Sequence, residues 1–207
     1  MYAIAVVGAP CSGKTHFTSS FTLEGWLVIR TTEISSMVRK CGYIAVQEDE
    51  CIQHALTVTR MNEMLEDHFF SLFASSPKTV VLCDNGLATS FAFCSADVLA
   101  ANGYCLEESV ARYDCVIQFL LPKHESLYNH YRTNNPARTE NYQESLALQA
   151  TLGQIWSRHA NYHVVEFQEK VDDKMREATT IVANAIKRGT GVGSPCRVPP
   201  DTLRPRR

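Results

Sequence analysis

The feature that most constrains the fold is the segment GAPCSGKT at residues 8–15. The apolar run YAIAVV at residues 2–7 precedes it and predicts a buried strand, and residues 14–21 follow as a predicted helix. Four residues match the fixed positions of the pattern G-x-x-x-x-G-K-[ST], namely Gly8, Gly13, Lys14 and Thr15. A strand, a glycine-rich turn and a helix in this order predict an α/β fold with a phosphate-binding loop.

The chemistry of a phosphate explains the spacing of this motif. Glycines let the backbone curl so that successive N–H groups point at one anion, and the helix that begins there adds the positive end of its dipole. Lys14 is expected to reach the β- and γ-phosphates, and the Thr15 hydroxyl is expected to coordinate Mg²⁺. The residues predicted to bind the nucleotide are Gly8, Ala9, Pro10, Cys11, Ser12, Gly13, Lys14, Thr15 and His16.

Short apolar runs alternate with helical patterns along the rest of the chain. Further strands are predicted at residues 26–31, 79–83, 115–121 and 163–167. Helices are predicted at residues 33–40, 47–74, 95–101, 107–112, 124–132, 140–159 and 171–186. The apolar stripe of the longest helix is predicted to contain Met61, Leu65, Phe69 and Leu72. Strands that are apolar throughout and separated by helices predict a parallel sheet covered on both faces.

The composition is typical of one globular domain, which we predict for residues 1–188. A formal net charge of −2 gives no strong field, so nucleic acid is not an expected partner, and no apolar run is long enough to span a membrane. The eight cysteines contain no C-x-x-C pair and no basic region precedes the first strand, so we expect a cytoplasmic protein. Residues 189–207 are rich in Gly, Pro and Arg and are predicted to form a disordered basic tail, either solvated or in contact with an acidic partner.

Two acidic residues are expected at the sheet edge that carries the phosphate loop. Asp84 ends the predicted strand in TVVLCDNG, and ligands bind at the carboxyl edge of open parallel sheets. Asp84 can hold Mg²⁺ through water, or Asp84-Asn85-Gly86 can be an ordinary turn. Glu33 can accept a proton from an acceptor hydroxyl, or it can cap the short helix that Thr31 or Thr32 begins.

Two arginines flank the polar, turn-rich segment between the predicted helices at residues 124–132 and 140–159. Arg132 and Arg138 lie in NHYRTNNPARTENYQES, which we predict to be a lid at about residues 124–142. Arginine-bearing lids stabilise the charge that develops on a transferring phosphoryl group and exclude water. The alternative is a surface loop with two solvated arginines.

Taken in order, these motifs resemble those of small P-loop kinases of the nucleoside and nucleotide kinase type. The chain looks more closely like the small ATP-binding domain family related to the kinase domain of bacterial nicotinamide riboside kinase, over about residues 3–187. The resemblance rests on GAPCSGKT, VVLCDNG, YDCVIQFLLP, YRTNNPARTENYQESLALQATL and YHVVEF. It implies a three-layer P-loop NTPase fold with a five-stranded parallel sheet in the order 2-3-1-4-5, ATP and Mg²⁺ as cofactors, and a lid that carries Arg132 and Arg138. Relatives commonly carry Asp-Arg-Gly where this chain has Asp84-Asn85-Gly86.

Two functions follow from this resemblance. The first is an ATP-dependent kinase that transfers a phosphoryl group to a small nucleoside- or nucleotide-like acceptor, with Lys14, Glu33, Asp84, Arg132 and Arg138 as its catalytic residues. The second is a non-catalytic or weakly hydrolytic ATP-binding module, which the asparagine at position 85 favours. The sequence does not determine the oligomeric state, and a homodimer is one possibility.

Three other classes of protein are disfavoured. A Ras-like GTPase needs an N-K-x-D element after the fourth strand, where this chain reads LLPKHES. An AAA+ remodelling motor needs a helical lid domain, for which the chain after the fifth strand is too short. The cysteine spacing does not suit a redox protein.

Overall fold

A five-stranded parallel sheet forms the centre of the molecule. The computed structural model describes residues 1–133 and 140–189. The strands are β1 Tyr2–Val7, β2 Leu27–Arg30, β3 Thr79–Asp84, β4 Cys115–Phe119 and β5 Tyr162–Val165. Their order in the sheet is β2-β3-β1-β4-β5, and every neighbouring pair is parallel. The predicted strand order and the α/β fold are therefore confirmed.

The helices cover both faces of this sheet. They are α1 Lys14–Ser20, α2 Ile34–Lys40, α3 Glu48–Leu72, α4 Ala96–Ala101, α5 Leu106–Ala111, α6 Glu125–Arg132, α7 Tyr142–Trp156 and α8 Val171–Gly189. A 3₁₀ helix, Leu87–Ala92, follows β3 and has no counterpart in the sequence prediction. Each of the eight α-helices found in residues 1–133 and 140–189 lies where a helical pattern predicts one, with ends that differ by a few residues.

The side chains of β1 point alternately to the two faces of the sheet, and both faces are covered by helices. Ile4 and Val6 pack in one core cluster with residues of α1 and α8, such as Phe17 and Val182. The intervening residues, such as Ala5, pack in a second cluster on the opposite face with side chains of α5 and α7. Successive residues of a strand point to opposite faces, so a strand that is apolar at every position is buried between two helical layers.

The ends of three elements differ from the prediction. The fourth strand ends at Phe119 rather than at residue 121, because the Leu121 N–H donates to the Gln149 side chain instead of a neighbouring strand. The fifth strand begins at Tyr162. Gly189, predicted to open the disordered tail, is the last residue of α8 and packs so closely on Tyr2 that a Cβ would lie 2.6 Å from its ring. Residues 190–207, the rest of the predicted tail, lie outside the described residues.

The predicted apolar stripe of α3 is right at Phe69, which packs against the second core cluster, and wrong at Leu72. Leu72 is 60% exposed, and the buried face of α3 instead carries Ala55, Leu56, Thr59, Asn62 and Glu66. Three of these five residues are polar, so a count of apolar side chains displaces the predicted stripe from the buried face. Thr59 and Glu66 bond to residues far along the chain; the Thr59 hydroxyl, for example, donates to Ser90 Oγ at 2.8 Å.

Glu66 is the most deeply buried acid of α3, at 1% exposure. Its carboxylate accepts hydrogen bonds from the Tyr113 hydroxyl at 2.8 Å and from Arg112 Nη2 at 3.3 Å. Burial raises the pKa of Glu66 to about 7, although Arg112 and Tyr113 oppose the shift.

Within the described ranges, no helix combines the length and apolar character that a membrane-spanning segment requires.

We expect Glu66→Gln to remove a pH dependence of stability. Because folded Glu66 keeps its proton up to about pH 7 and unfolded Glu66 loses it near its ordinary pKa of 4.5, the wild-type free energy of unfolding should fall as pH rises between these values. The fall should be about 3 kcal/mol in wild type. Urea unfolding between pH 4.5 and pH 8 measures it. Glu48→Gln, at an exposed position of the same helix, should keep the wild-type slope; an unchanged slope in Glu66→Gln would contradict the account.

Candidate functional site

The loop between β1 and α1 turns sharply at two left-handed residues. Cys11 has φ 68° and Gly13 has φ 91°, and Gly13 is the N-cap of α1. Gly8 leaves no room for a side chain, because a Cβ there would lie 2.4 Å from Ser12 Oγ and 2.9 Å from the Phe119 carbonyl oxygen. The loop is therefore held in a tight curl against the end of β4, as a backbone that surrounds an anion requires.

Ser12 adds an unsatisfied donor to this curl. Its side chain is buried, at 2% exposure, and its hydroxyl has no hydrogen-bond partner within residues 1–133 and 140–189. Buried hydroxyls are normally paired. An orphan hydroxyl beneath a glycine-rich curl fits a loop that completes its hydrogen bonds with a phosphate ligand.

Lys14 is the centre of the site and joins two carboxylates. Its ammonium lies 2.6 Å from Asp84 Oδ1 and 3.9 Å from Glu33 Oε1. Lys14 and Asp84 are both buried, at 6% and 5% exposure, whereas the Glu33 side chain is 41% exposed. The structure thus brings together three of the five predicted catalytic residues, each from the carboxyl edge of the sheet.

Asp84 is held at this edge by two neighbouring strands. In the register of β1 and β3 it lies beside Val6, and its backbone N–H donates to Thr31 Oγ1 at 2.9 Å. Burial raises the pKa of Asp84, and the Lys14 ammonium opposes that shift. Thr31, given from sequence as one possible start of the short helix, lies before α2 and supports the backbone of Asp84.

Glu33 occupies the N-cap position of α2, but its side chain makes no capping hydrogen bond to the helix backbone. One carboxylate oxygen accepts from Ser36 Oγ at 2.7 Å. The other is the oxygen nearest Lys14. The carboxylate is therefore oriented toward the site rather than along the helix.

The turn after Asp84 explains the asparagine at position 85. Asn85 has φ 69° and Gly86 has φ 63°. Asparagine tolerates the left-handed region better than arginine does. A Cβ at Gly86 would lie 3.0 Å from both the Trp156 ring and the Tyr113 hydroxyl, so the turn is also tightly packed. The turn that the sequence analysis gave as one alternative is present, and the other alternative, that Asp84 holds Mg²⁺, stays a prediction.

The predicted lid is described only at its two ends. Tyr128 of α6 and Tyr142 of α7 are buried in one cluster with Ala9 of the phosphate loop. Arg132 lies one turn after Tyr128, partly exposed, at the end of α6. Arg138 lies outside the described residues.

The remaining loop residues vary in exposure. Ala9 is buried at 1%, while Thr15 and His16 are exposed at the first turn of α1. Thr15 directly follows Lys14, whose ammonium contacts Asp84. Within the described parts of the chain, no group of three or more His, Cys, Asp or Glu side chains forms a metal site by itself.

Sequence reasoning missed one residue that contacts the loop. Lys174 of α8 donates to the Ser12 carbonyl from a position 162 residues further along the chain. Its signal in the sequence is a lysine on the otherwise apolar face of α8, between Val171 and Ala178. A shallow cleft elsewhere is lined by Glu107, Val110, Ala111, Arg158, His159 and Ala160 and contains no residue of the phosphate loop.

A parallel sheet in this order, with a glycine-rich loop and a buried lysine after its central strand, defines a P-loop nucleotide-binding domain. The chain belongs to the AAA domain family, whose sequence pattern it matches over residues 3–174. This match does not test the expectation that the chain is no remodelling motor. In the described part of the chain, α8 is the one helix after β5.

Among solved structures, the chain is similar to shikimate kinase from Acinetobacter baumannii in complex with shikimate. The TM-score is 0.49 and the sequence identity is 17%, over 89% of this chain and 94% of that chain. No curated protein matches the sequence.

We expect Gly8→Ala to lower the free energy of unfolding by about 1–3 kcal/mol, because the new methyl group overlaps Ser12 and the Phe119 carbonyl. Gly153→Ala is the matched control, since a Cβ there meets its nearest atom at 3.6 Å and the residue lies within α7. This control should instead stabilise the protein by up to about 1 kcal/mol. Urea unfolding compares the two variants, and a Gly8→Ala variant as stable as wild type would show that the loop is not tightly curled.

Proposed function

We propose that the protein transfers a phosphoryl group from ATP·Mg to a small-molecule acceptor. The observation that carries the proposal is the convergence of one buried ammonium and two carboxylates beside a glycine-rich loop, with Lys14 2.6 Å from Asp84 and 3.9 Å from Glu33. Phosphoryl transfer needs little besides positioning and charge neutralisation, and these groups supply both. The sequence resemblance to nucleoside and nucleotide kinases supports a nucleoside- or nucleotide-like acceptor.

The loop between β1 and α1 would bind the phosphates. The N–H groups of the first turn of α1 have no partner within the helix, and the Ser12 hydroxyl is unsatisfied among the described residues. Lys14 would exchange part of its contact with Asp84 for contact with the β- and γ-phosphates. The cost of breaking a buried ion pair is offset because the phosphates bring more negative charge than the carboxylate.

Thr15 and Asp84 would hold the magnesium ion. The Thr15 hydroxyl is exposed at the start of α1, and the Asp84 carboxylate lies at the adjacent strand end. Magnesium neutralises charge on the phosphates when it is bound. Once Lys14 moves toward the phosphates, the Asp84 carboxylate would be available to help Thr15 hold the ion.

Glu33 is the carboxylate best suited to take a proton from the acceptor. It is exposed enough to contact a second ligand, and Ser36 orients it toward Lys14. Asp84 is less accessible, because it is 5% exposed and its carboxylate is paired with the Lys14 ammonium at 2.6 Å. We therefore assign the general base to Glu33 and the metal to Asp84.

Arg132 would approach the γ-phosphate from the lid side. Tyr128, one turn earlier on α6, is buried with Ala9 of the loop, so this helix is attached to the phosphate site. The Tyr128 hydroxyl forms a hydrogen bond with the Ser145 hydroxyl at 2.7 Å, and this bond joins α6 to α7. Arg138 is proposed as the second lid arginine on sequence grounds alone.

The second candidate function is an ATP-binding module without an acceptor. Asn85 supports it, because an arginine at that position in relatives would help to hold an acceptor or a phosphate. The same asparagine also satisfies the left-handed turn after Asp84, so its presence has a structural reason independent of activity.

We expect Lys14→Met to weaken ATP·Mg binding at least about tenfold, which corresponds to about 1.4 kcal/mol. Methionine keeps most of the volume of the lysine but cannot contact phosphate. Isothermal titration calorimetry measures the dissociation constant. Lys40→Met, at an exposed position of α2, is the control and should bind as wild type does. Equal affinity in all three proteins would exclude both candidate functions.

An acceptor screen separates the two candidate functions. ADP release from ATP·Mg is measured with a panel of nucleosides, nucleotides and other hydroxyl metabolites. The kinase proposal predicts that at least one acceptor accelerates ADP release, and that Glu33→Gln lowers this rate about a hundredfold, because a general base is lost, with little change in ATP affinity. Glu24→Gln, at an exposed position after α1, should leave the rate unchanged. Tight ATP binding with no response to any acceptor would favour the module.

A further inference from the structure

Lys174 is a buried lysine that faces the underside of the phosphate loop. It lies in the first turn of α8 and is 5% exposed. Its ammonium donates to the Ser12 carbonyl at 2.8 Å and to the Leu120 carbonyl at 2.9 Å. The rings of Phe119 and Phe167 lie 5.6 Å and 5.4 Å from the same nitrogen.

Burial of the Lys174 ammonium disfavours its charged form, and the neighbouring carboxylates reduce this effect without cancelling it. Burial lowers the pKa of Lys174 to about 8, while Glu177 of the same helix and Glu166 after β5 oppose the shift. A lysine is rarely buried unless its charge is satisfied. Here the two carbonyl oxygens and two aromatic faces satisfy it. These contacts join α8 to the last residue of β4 and to the segments that follow β1, β4 and β5.

The contact with Ser12 fixes the orientation of one peptide group in the phosphate loop. The peptide between Ser12 and Gly13 is trans and planar, so its carbonyl and its N–H point in opposite directions. Lys174 holds the carbonyl toward α8. The Gly13 N–H therefore points to the other face of the loop, away from the interior.

This peptide group would otherwise be easy to rotate. Cys11 and Gly13, on either side of Ser12, both have positive φ, and glycine populates several regions of backbone space at similar cost. A rotated peptide would present a carbonyl oxygen where a phosphate needs an N–H. The Ser12 hydroxyl, unpaired among the described residues, does not hold the peptide in place.

We propose that Lys174 is a positioning residue that sets the orientation of the Ser12–Gly13 peptide and thereby prepares the loop to bind the β-phosphate of a nucleotide. The proposal rests on the proposed function, in which this loop binds phosphate. Through the Leu120 carbonyl, the same ammonium also fixes the end of β4, where the chain turns toward α6 and the predicted lid. One side chain of α8 thus joins the phosphate loop to the segment that leads to the lid.

The test compares nucleotides that differ in phosphate number. In Lys174→Met, the affinities for ADP·Mg and ATP·Mg should fall at least about tenfold, while the affinity for AMP changes less than about twofold, because the loop holds the phosphates beyond the first. Lys174→Arg keeps a charged donor and should recover part of the lost affinity. Lys187→Met, at an exposed position of the same helix, should bind all three nucleotides as wild type does.

A folded Lys174→Met variant that binds ADP·Mg within twofold of Lys187→Met would overturn the proposal. So would an equal loss for AMP and ADP in both Lys174→Met and Lys174→Arg, since that result indicates general damage to the site. If Lys174→Met does not fold, Lys174→Gln, which is shorter and uncharged, is measured by the same criteria.

Hydrogen exchange of the free protein separates this proposal from the proposed function. Exchange of the amides of residues 8–15 should be at least about tenfold faster in Lys174→Met than in Lys187→Met. This comparison needs no nucleotide. If wild type binds neither ADP·Mg nor ATP·Mg, the proposed function fails, and equal exchange in the two variants would then overturn the role of Lys174 as well.

Discussion

The ion pair between Lys14 and Asp84 is the interaction on which the rest of the site depends. The two charged atoms lie 2.6 Å apart, and both residues are almost fully buried. Removing two charges from water costs several kcal/mol per ion, so such a pair persists only where the surrounding structure holds both partners in place. The adjacency of β1 and β3 does so, because the loop after β1 carries the lysine and the end of β3 carries the aspartate. A sheet with another strand between these two would separate the charges.

Groups from distant parts of the chain hold this pair from three sides. Thr31, after β2, accepts the Asp84 N–H. The Tyr113 hydroxyl accepts the Leu87 N–H and donates to buried Glu66, which packs the turn after Asp84 against α3. Lys174 holds the phosphate loop from below. Each contact joins a distant part of the chain to the carboxyl edge of the sheet, and together they give the site the rigidity that the proposed phosphoryl transfer needs.

Local patterns in the sequence were sufficient for the strands, the helices and the phosphate loop. The strand, glycine turn and helix at residues 2–20 are specified by neighbouring residues, and Asp84 was found because it ends an apolar run. The buried face of α3 was not found, because Thr59, Asn62 and Glu66 are polar, and Thr59 and Glu66 bond to residues of other elements. Lys174 was missed for the same reason, since its partner carbonyl is 162 residues away. Periodicity detects apolar burial, whereas buried polar networks depend on tertiary contacts that no local pattern contains.

The central claim is that phosphate binds at the loop between β1 and α1, beside Lys14 and Asp84. Titration of ADP·Mg into ¹⁵N-labelled protein, followed by the backbone amide resonances, tests it most directly. The account predicts that the largest shifts occur at Gly13, Lys14 and Asp84. Shifts that instead centre on the cleft lined by Glu107, Arg158 and His159, with the loop resonances unchanged, would contradict it.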